Sequence, residues 1–113
     1  TIQAPWGHHT AFIDDKGFKV KQLNVDSGGI LSLQKHEHRS EHWVVVRGTA
    51  TVEVDDIKKD YVEGEYVFIP FQSVHRLSNN HEMELIVIEV QCGAVLEESD
   101  ITRLEDSYGR TSD

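Results

Sequence analysis

Cysteine and long apolar runs are scarce in this sequence, and each scarcity excludes a class of protein. Only one of the 113 residues is a cysteine, Cys92, so no disulfide forms within the chain. No apolar run approaches the length of a membrane span or resembles a signal peptide. We therefore expect a cytoplasmic protein with no membrane partner.

Positive charge is also in short supply. Eleven Lys and Arg residues against twenty Asp and Glu give a net charge of −9 at pH 7. Such a chain repels a phosphate backbone, so nucleic acid is not an expected partner. An anionic small substrate is compatible with this charge, because a few arginines in one pocket outweigh a diffuse negative surface.

Breaks in the chain are few. The only prolines are Pro5 and Pro70, and there is no Ser/Gly-rich linker, repeat or low-complexity stretch. A chain of this length buries enough surface to build one core without a stabilising metal or disulfide. We expect a single domain over residues 1–113.

The hydrophobic pattern has the period of β-strands. Apolar and polar residues alternate, at least in part, in four segments: Phe18–Val25, Leu31–Gln34, Ala50–Val54 and Leu85–Val90. Turn-forming residues rich in Gly, Asp and Asn separate the segments at intervals of roughly eight to fifteen residues, which is typical of an antiparallel sandwich or barrel. No βαβ crossover is visible. The fold class predicted is all-β.

Two further runs, 42–46 and 66–69, are apolar on both faces. Strands of this kind are covered on both sides, by the core on one and by another sheet or subunit on the other. We expect a homodimer.

The C-terminal segment is predicted to be a short helix. Ser99 or Asp100 is a candidate N-cap, and Ile101, Leu104 and Tyr108 fall along one stripe before Gly109.

The residues with the clearest chemistry are three histidines and a glutamate. His36 and His38 lie two apart, so a strand turns both to one side, together with Ser32 and Gln34. Glu41 follows closely, and His75 comes from a second strand. Three imidazoles and a carboxylate complete a ligand set for one divalent ion, and Zn, Mn, Fe, Co and Ni all accept it. His42 points to the opposite side, which leaves catalytic support and simple packing equally open.

The spacing Gly28…His36-x-His38…Glu41-x6-Gly48, followed by Gly64-x5-Pro70-x4-His75-x3-Asn79, resembles the paired motifs of the cupin superfamily. The resemblance implies a double-stranded β-helix, or jelly-roll, barrel that holds a metal on three histidines and a glutamate. Gln72 occupies a position where a cupin has glycine. That replacement implies either a loop without a positive-φ residue or a loop reshaped to accept a side chain.

Within the cupins, nearly the whole chain resembles type II mannose-6-phosphate isomerase. The segments that carry this resemblance are Pro5-Trp6-Gly7, Leu31–Gln34, His38–Val46, His75-Arg76-Leu77, Glu89-Val90-Gln91 and Glu105–Arg110. The family occurs as the C-terminal domain of bifunctional mannose-1-phosphate guanylyltransferases. Their nucleotidyltransferase domain has no counterpart in these residues, so only isomerisation of mannose 6-phosphate and fructose 6-phosphate is expected.

The resemblance and the chemistry of an enediolate together suggest roles for single residues. Glu41 is a metal ligand or the base, and His42 is the alternative base if Glu41 is held by the metal. Arg76 suits a phosphate or the developing enediolate. The positions predicted to contact a small phosphorylated sugar are Gln34, Lys35, Arg39, Arg76, Gln91 and Arg110. The alternatives are a non-catalytic metal- and sugar-binding cupin module, or another cupin enzyme such as an oxygenase or sugar epimerase.

Overall fold

The structure is a computed structural model that describes residues 1–96 and 100–109. In these ranges the chain forms eleven β-strands and no α-helix. The strands are β1 (Ile2–Ala4), β2 (Gly7–Asp15), β3 (Phe18–Val25), β4 (Leu33–His36), β5 (Arg39–Arg47), β6 (Ala50–Val54), β7 (Ile57–Tyr61), β8 (Tyr66–Ile69), β9 (His75–Ser78), β10 (Leu85–Gly93) and β11 (Ile101–Glu105).

These strands form two antiparallel sheets. One has six strands in the order β1-β2-β3-β10-β5-β8, and the other has five in the order β11-β4-β9-β6-β7. β10 lies inside the first sheet and pairs with both β3 and β5. The all-β prediction is confirmed, whereas a single domain over the whole of 1–113 stays a prediction.

The inward face of the six-stranded sheet changes character along its strands. On β10 the inward residues run from the buried Leu85 and Val87 to Glu89 and Gln91. The paired strands change at the same level, since Glu89 lies opposite Lys21 on one side and Trp43 on the other. The interior therefore has an apolar end and a polar end.

A single hydrophobic cluster fills the apolar end. It is made of residues from both sheets, and Val25, Leu85 and Val87 have no measurable exposure. The other buried members are Trp6, Leu23, Trp43, Val45, Ala50, Val52, Val67, Ile69 and Leu77. Because this end already holds the two sheets together, the polar end is left for a site.

The predicted C-terminal helix is wrong. Ile101–Glu105 is strand β11, which pairs antiparallel with β4 along its hydrogen-bonding edge. Asp100 accepts hydrogen bonds from the amides of Glu37 and His38 instead of capping a helix, and Ser99 lies outside the described residues. Pairing with an open strand edge outweighs a weak helical pattern in so short a segment. No helix in the described ranges is long and apolar enough to cross a membrane.

The outer face of the six-stranded sheet carries large apolar side chains in the open. Val44 and Val46 on β5 are 41% and 48% exposed, and Tyr66 and Phe68 on β8 are 52% and 47% exposed. We call this set, with Ile88 of β10, the outer apolar face. The register places Val44 between Ile88 and Tyr66. The homodimer inferred from these runs stays a prediction.

Candidate metal centre and its cavity

The polar end of the interior opens into a cavity of about 630 Å³. Both sheets contribute to its wall, and the charged or polar lining residues include Lys21, Gln34, Arg39, Glu41, His75, Arg76, Glu89, Gln91 and Arg103. Cavities of this size accept a small organic ligand. The polar end is therefore large enough to be a binding site.

Glu41 and His75 line this cavity, and His36 lies beside them without being part of its wall. Each offers one ligand atom, and these atoms lie within 4.8 Å of one another. All three side chains are at most 3% exposed. His36 ends β4, His75 begins β9, and Glu41 points inward from β5. Two sheets thus supply three of the four residues predicted to bind a metal.

His38 is not brought into this group. β4 ends at His36, and a bend at Glu37 and His38, held by the Asp100 carboxylate, interrupts the strand. The alternation on which the prediction depended stops there, and the His38 side chain is exposed. Ser32 and Gln34 do lie on the same side as His36, and the Gln34 amide donates to the Ser32 hydroxyl at 2.9 Å.

The loop at Gln72, where a cupin has glycine, keeps a positive φ and accepts a side chain. The φ of Gln72 is 63°, which is a left-handed conformation. The Gln72 amide donates to the His36 carbonyl at 2.9 Å. The strain of a positive φ in a non-glycine residue is thus accepted where the loop fixes a candidate ligand.

Both buried histidines are neutral. Burial, helped by the nearby Arg39 charge, lowers the pKa of His36 from 6.5 to about 3. Burial also lowers the pKa of His75. The Nδ1 of His75 lies 3.1 Å from the Ser73 carbonyl, which only accepts, so the proton is on Nδ1 and the lone pair on Nε2. Neutral imidazoles with oriented rings are suitable metal ligands.

The separation of the donor atoms also suits a metal. His36 Nε2 and Glu41 Oε2 are 3.2 Å apart. For bonds of about 2.1 Å, neighbouring ligands of an octahedral or tetrahedral ion are about 3.0 to 3.4 Å apart. The spacing of this pair therefore suits a divalent ion, and two nitrogens with one oxygen would leave coordination positions open for a ligand.

A second carboxyl, Glu89, lies next to Glu41. The Trp43 indole donates to both carboxyls, at 3.0 Å to Glu41 and 3.1 Å to Glu89. Gln91 donates to Glu89 at 2.7 Å. Burial and the Glu41 charge raise the pKa of Glu89 from 4.5 to about 8. At neutral pH Glu89 is therefore protonated and donates to Glu41.

Only some of the residues predicted to contact the sugar line the cavity. Gln34, Arg39, Arg76 and Gln91 line the cavity. Arg76 is already engaged, because its guanidinium donates to the Leu31 carbonyl and to Glu105. Lys35 is not among the lining residues and forms an ion pair with Glu37. Arg110 lies outside the described residues.

His42 is turned away from the cavity. It lies on the outer face of β5, where its Nδ1 is hydrogen-bonded to the Tyr66 hydroxyl and its ring contacts Phe68. Strand alternation explains this, since Glu41 on the same strand points inward. The structure therefore does not bring His42 to the sugar site as a base.

Several cavity residues were not identified from the sequence, among them Lys21, Trp43, Glu89 and Arg103. A signal for two of them is present, because Lys21 shares a strand face with the apolar Leu23 and Val25, and Glu89 shares one with Leu85 and Val87. The sequence pattern does not predict the strand register, which places Glu89 opposite Lys21 and Trp43. Arg103 was hidden by the incorrect helix assignment.

Comparison with known proteins places the chain in a family. The model for the C-terminal domain of mannose-6-phosphate isomerase matches residues 1–106. The alginate biosynthesis protein AlgA of Pseudomonas aeruginosa is 47% identical over 112 residues, which are 99% of this chain and 23% of that protein. The mannose-1-phosphate guanylyltransferase ManC of Salmonella typhimurium is 42% identical over 109 residues, 96% of this chain and 23% of that protein.

The chain thus spans less than a quarter of the length of these curated relatives. Among solved structures, the cupin domain of Schizosaccharomyces pombe Cnp3 has a TM-score of 0.74 at 11% identity, covering 80% of this chain and 67% of that one. At this identity the likeness concerns the fold alone. The predicted cupin fold is confirmed.

Proposed function

Because the chain belongs to the family of mannose-6-phosphate isomerase C-terminal domains, we propose that its cavity isomerises mannose 6-phosphate and fructose 6-phosphate with the help of one divalent metal. The observation that carries the proposal is the grouping of His36, Glu41 and His75, of which Glu41 and His75 line a sugar-sized cavity. Zn, Mn, Fe, Co and Ni all suit this donor set.

His36, Glu41 and His75 would hold the ion. Once bound, it supplies a Lewis acid that polarises the sugar carbonyl. Each imidazole is neutral and so has a lone pair that can bind a metal. The metal ligand assignment, including the omission of His38, is part of the proposal.

The carboxyl pair Glu41 and Glu89 is proposed to handle the proton. Aldose–ketose isomerisation takes a proton from one carbon and returns it to its neighbour, so the site needs one group that accepts and one that donates. If the metal leaves Glu41 free, Glu41 accepts the proton and Glu89 donates it; if Glu41 is held as a ligand, Glu89 is the carboxyl that remains for the proton transfer. This pair replaces His42, which is on the other side of the sheet.

Positive side chains on the cavity wall are proposed to receive the phosphate. Lys21 and Arg103 line the cavity. Within the described part of the chain, the buried Nε of Arg103 has no hydrogen-bond partner. A guanidinium with an unused donor is suited to a phosphate oxygen. Arg76 is the weaker candidate, because Leu31 and Glu105 already occupy its donors.

The test is a coupled assay of fructose 6-phosphate production from mannose 6-phosphate, with each of the five metals in turn. Glu41→Gln should lower turnover by about 10² or more, in line with a general-base contribution. Glu53→Gln on β6, whose carboxylate pairs with Lys58 at 3.8 Å, is the control and should retain activity.

Metal content measured on Glu41→Gln separates the two roles of this residue. Turnover lost with full metal content indicates a base, and turnover lost together with the metal indicates a ligand. No interconversion with any metal would refute the isomerase. Tight binding of the sugar phosphate without turnover would then favour a non-catalytic binding module.

We also propose that two copies of the chain pair through the outer apolar face. Its members Val44, Val46, Tyr66, Phe68 and Ile88 are uncharged in a chain of net charge −9, so a second copy meets no like charge there. In a two-fold dimer the same patch of each copy forms the interface, so this uncharged apolar patch would pack against its own copy.

A further inference from the structure

One side chain uses the same atoms that the metal needs. The guanidinium of Arg39 donates through Nε to Glu41 Oε2 at 2.9 Å. Its Nη2 lies 3.1 Å from His36 Nε2. Arg39 is only 3% exposed, so this fork is a buried feature and not a surface contact.

The His36 contact is exclusive. A guanidinium has only donors, so the Nε2 of His36 must be the acceptor. An imidazole nitrogen has a single lone pair, and the same lone pair would bind a metal. A carboxylate oxygen has a second lone pair, so Glu41 alone would not create the conflict. His36 therefore bonds to Arg39 or to the ion, but never to both.

We propose that Arg39 is an internal competitor for the metal: its guanidinium fills the His36–Glu41 edge in the metal-free protein and leaves that edge when a divalent ion binds. The proposal rests on the metal site proposed above. In the described residues, Nη1 of Arg39 has no hydrogen-bond partner. The guanidinium is thus held on one edge only, and the cavity that Arg39 lines gives it room to turn.

Arg39 also has a balancing role in the metal-free state. Without it, Glu41 would be a buried carboxylate next to a neutral imidazole, with only the Trp43 and Glu89 hydrogen bonds to compensate. The guanidinium stabilises that charge until the ion replaces it. Apparent metal affinity is accordingly reduced by the fraction of molecules in which the edge is already filled.

The first test is calorimetric titration of EDTA-treated protein with Zn²⁺. Arg39→Met removes the competitor and should bind Zn²⁺ at least about tenfold more tightly than the parent. Lys21→Met is the matched control, since it removes a positive charge from the same cavity wall without freeing the His36 lone pair. We expect the control to change the affinity less than about threefold, because it leaves the contact between Arg39 and His36 in place.

The second test uses the parent protein, so it does not depend on how a variant folds. In metal-free protein the Arg39 Nε–H signal in ¹⁵N NMR should be protected from solvent exchange. One equivalent of Zn²⁺ should shift the signal and remove its protection. A protected signal that is unmoved at full Zn²⁺ loading would overturn the proposal.

The titrations distinguish this proposal from the metal site itself. Equal effects of Arg39→Met and Lys21→Met would refute the competitor and leave the metal site intact. Binding by Arg39→Met alone, with none by the parent, would support the competitor strongly. Zn²⁺ binding by neither protein would refute both.

Discussion

Replacing Glu89 by glutamine should raise the stability of the metal-free protein at pH 8 relative to the parent. Glu89 is buried beside Glu41, and its pKa is raised from 4.5 to about 8. The folded chain therefore holds a proton that the unfolded chain releases above its own, lower pKa. Unfolding becomes easier as pH rises from about 4.5 to about 8, because the folded state binds more protons throughout that window.

The size of the effect follows from the two pKa values. Between pH 5 and pH 8, the Glu89 carboxyl should lower the free energy of unfolding of the parent by about 3 kcal/mol. Glutamine cannot ionise, and its amide can replace the donor that the protonated carboxyl offers to Glu41. The stability of Glu89→Gln relative to the parent should therefore rise by about 3 kcal/mol over this range.

The two buried histidines act in the opposite direction and must be separated from this effect. The lowered pKa values of His36 and His75 mean that only the unfolded chain takes up their protons below about pH 6.5. Their contribution lowers stability in acid and disappears above that pH. Above about pH 6.5 the histidines contribute little in either protein, so the difference between the variant and the parent from pH 7 to pH 8 reports Glu89.

The assay is urea unfolding at pH 5, 6, 7 and 8 in the presence of EDTA, followed by fluorescence of the buried Trp6 and Trp43. Glu82→Gln, at an exposed position between β9 and β10, is the control and should follow the parent at every pH. A difference between Glu89→Gln and the parent that stays constant from pH 5 to pH 8 would show that this carboxyl is ionised in the folded state and would refute the reasoning.

Two further expectations concern assembly and packing. The parent should have a dimeric mass in light scattering at micromolar concentration, and a monomeric parent would contradict the proposed dimer. Val44→Lys should make the protein monomeric, whereas the control Ile57→Lys, on the exposed β7, should leave it dimeric. Gly93→Ala should destabilise the fold by about 2 kcal/mol or more, because its Cβ would lie 2.2 Å from the His38 carbonyl oxygen. Cys92→Ala, on the opposite face of β10, should cost less than about 1 kcal/mol, and equal urea midpoints for the two variants would contradict the packing argument.

Much of the fold could be read from alternation. Phe18–Val25 and Ala50–Val54 are the observed bounds of β3 and β6, because a strand with one face on the core must alternate. Leu31–Gln34 is two residues early relative to β4, and Leu85–Val90 stops short of the end of β10. The edge strand β11 was missed, since its pairing with β4 is a tertiary contact that no local pattern encodes.

The candidate site was predictable only in part, because a local sequence pattern does not encode the contacts between distant strands. His36, Glu41 and His75 are grouped as the motif spacing indicates. His38 lies outside this group because two-residue alternation applies only while a strand lasts, and β4 ends at His36. The partnership of Glu41 and Glu89 depends on which strands are neighbours in the sheet, and that is decided by the fold as a whole.

The central place of β10 also has a consequence for how the chain folds. Leu85 pairs with Val25, a partner about 60 residues earlier, and β10 also joins β3 to β5. Until this late strand arrives, β3 and β5 each present an unpaired hydrogen-bonding edge. Folding should therefore be slow, because it requires the closure of a long loop. A chain in which β10 has not yet paired should be prone to edge-to-edge aggregation. Emergence of β10 from the ribosome is the step that ends this exposure during synthesis.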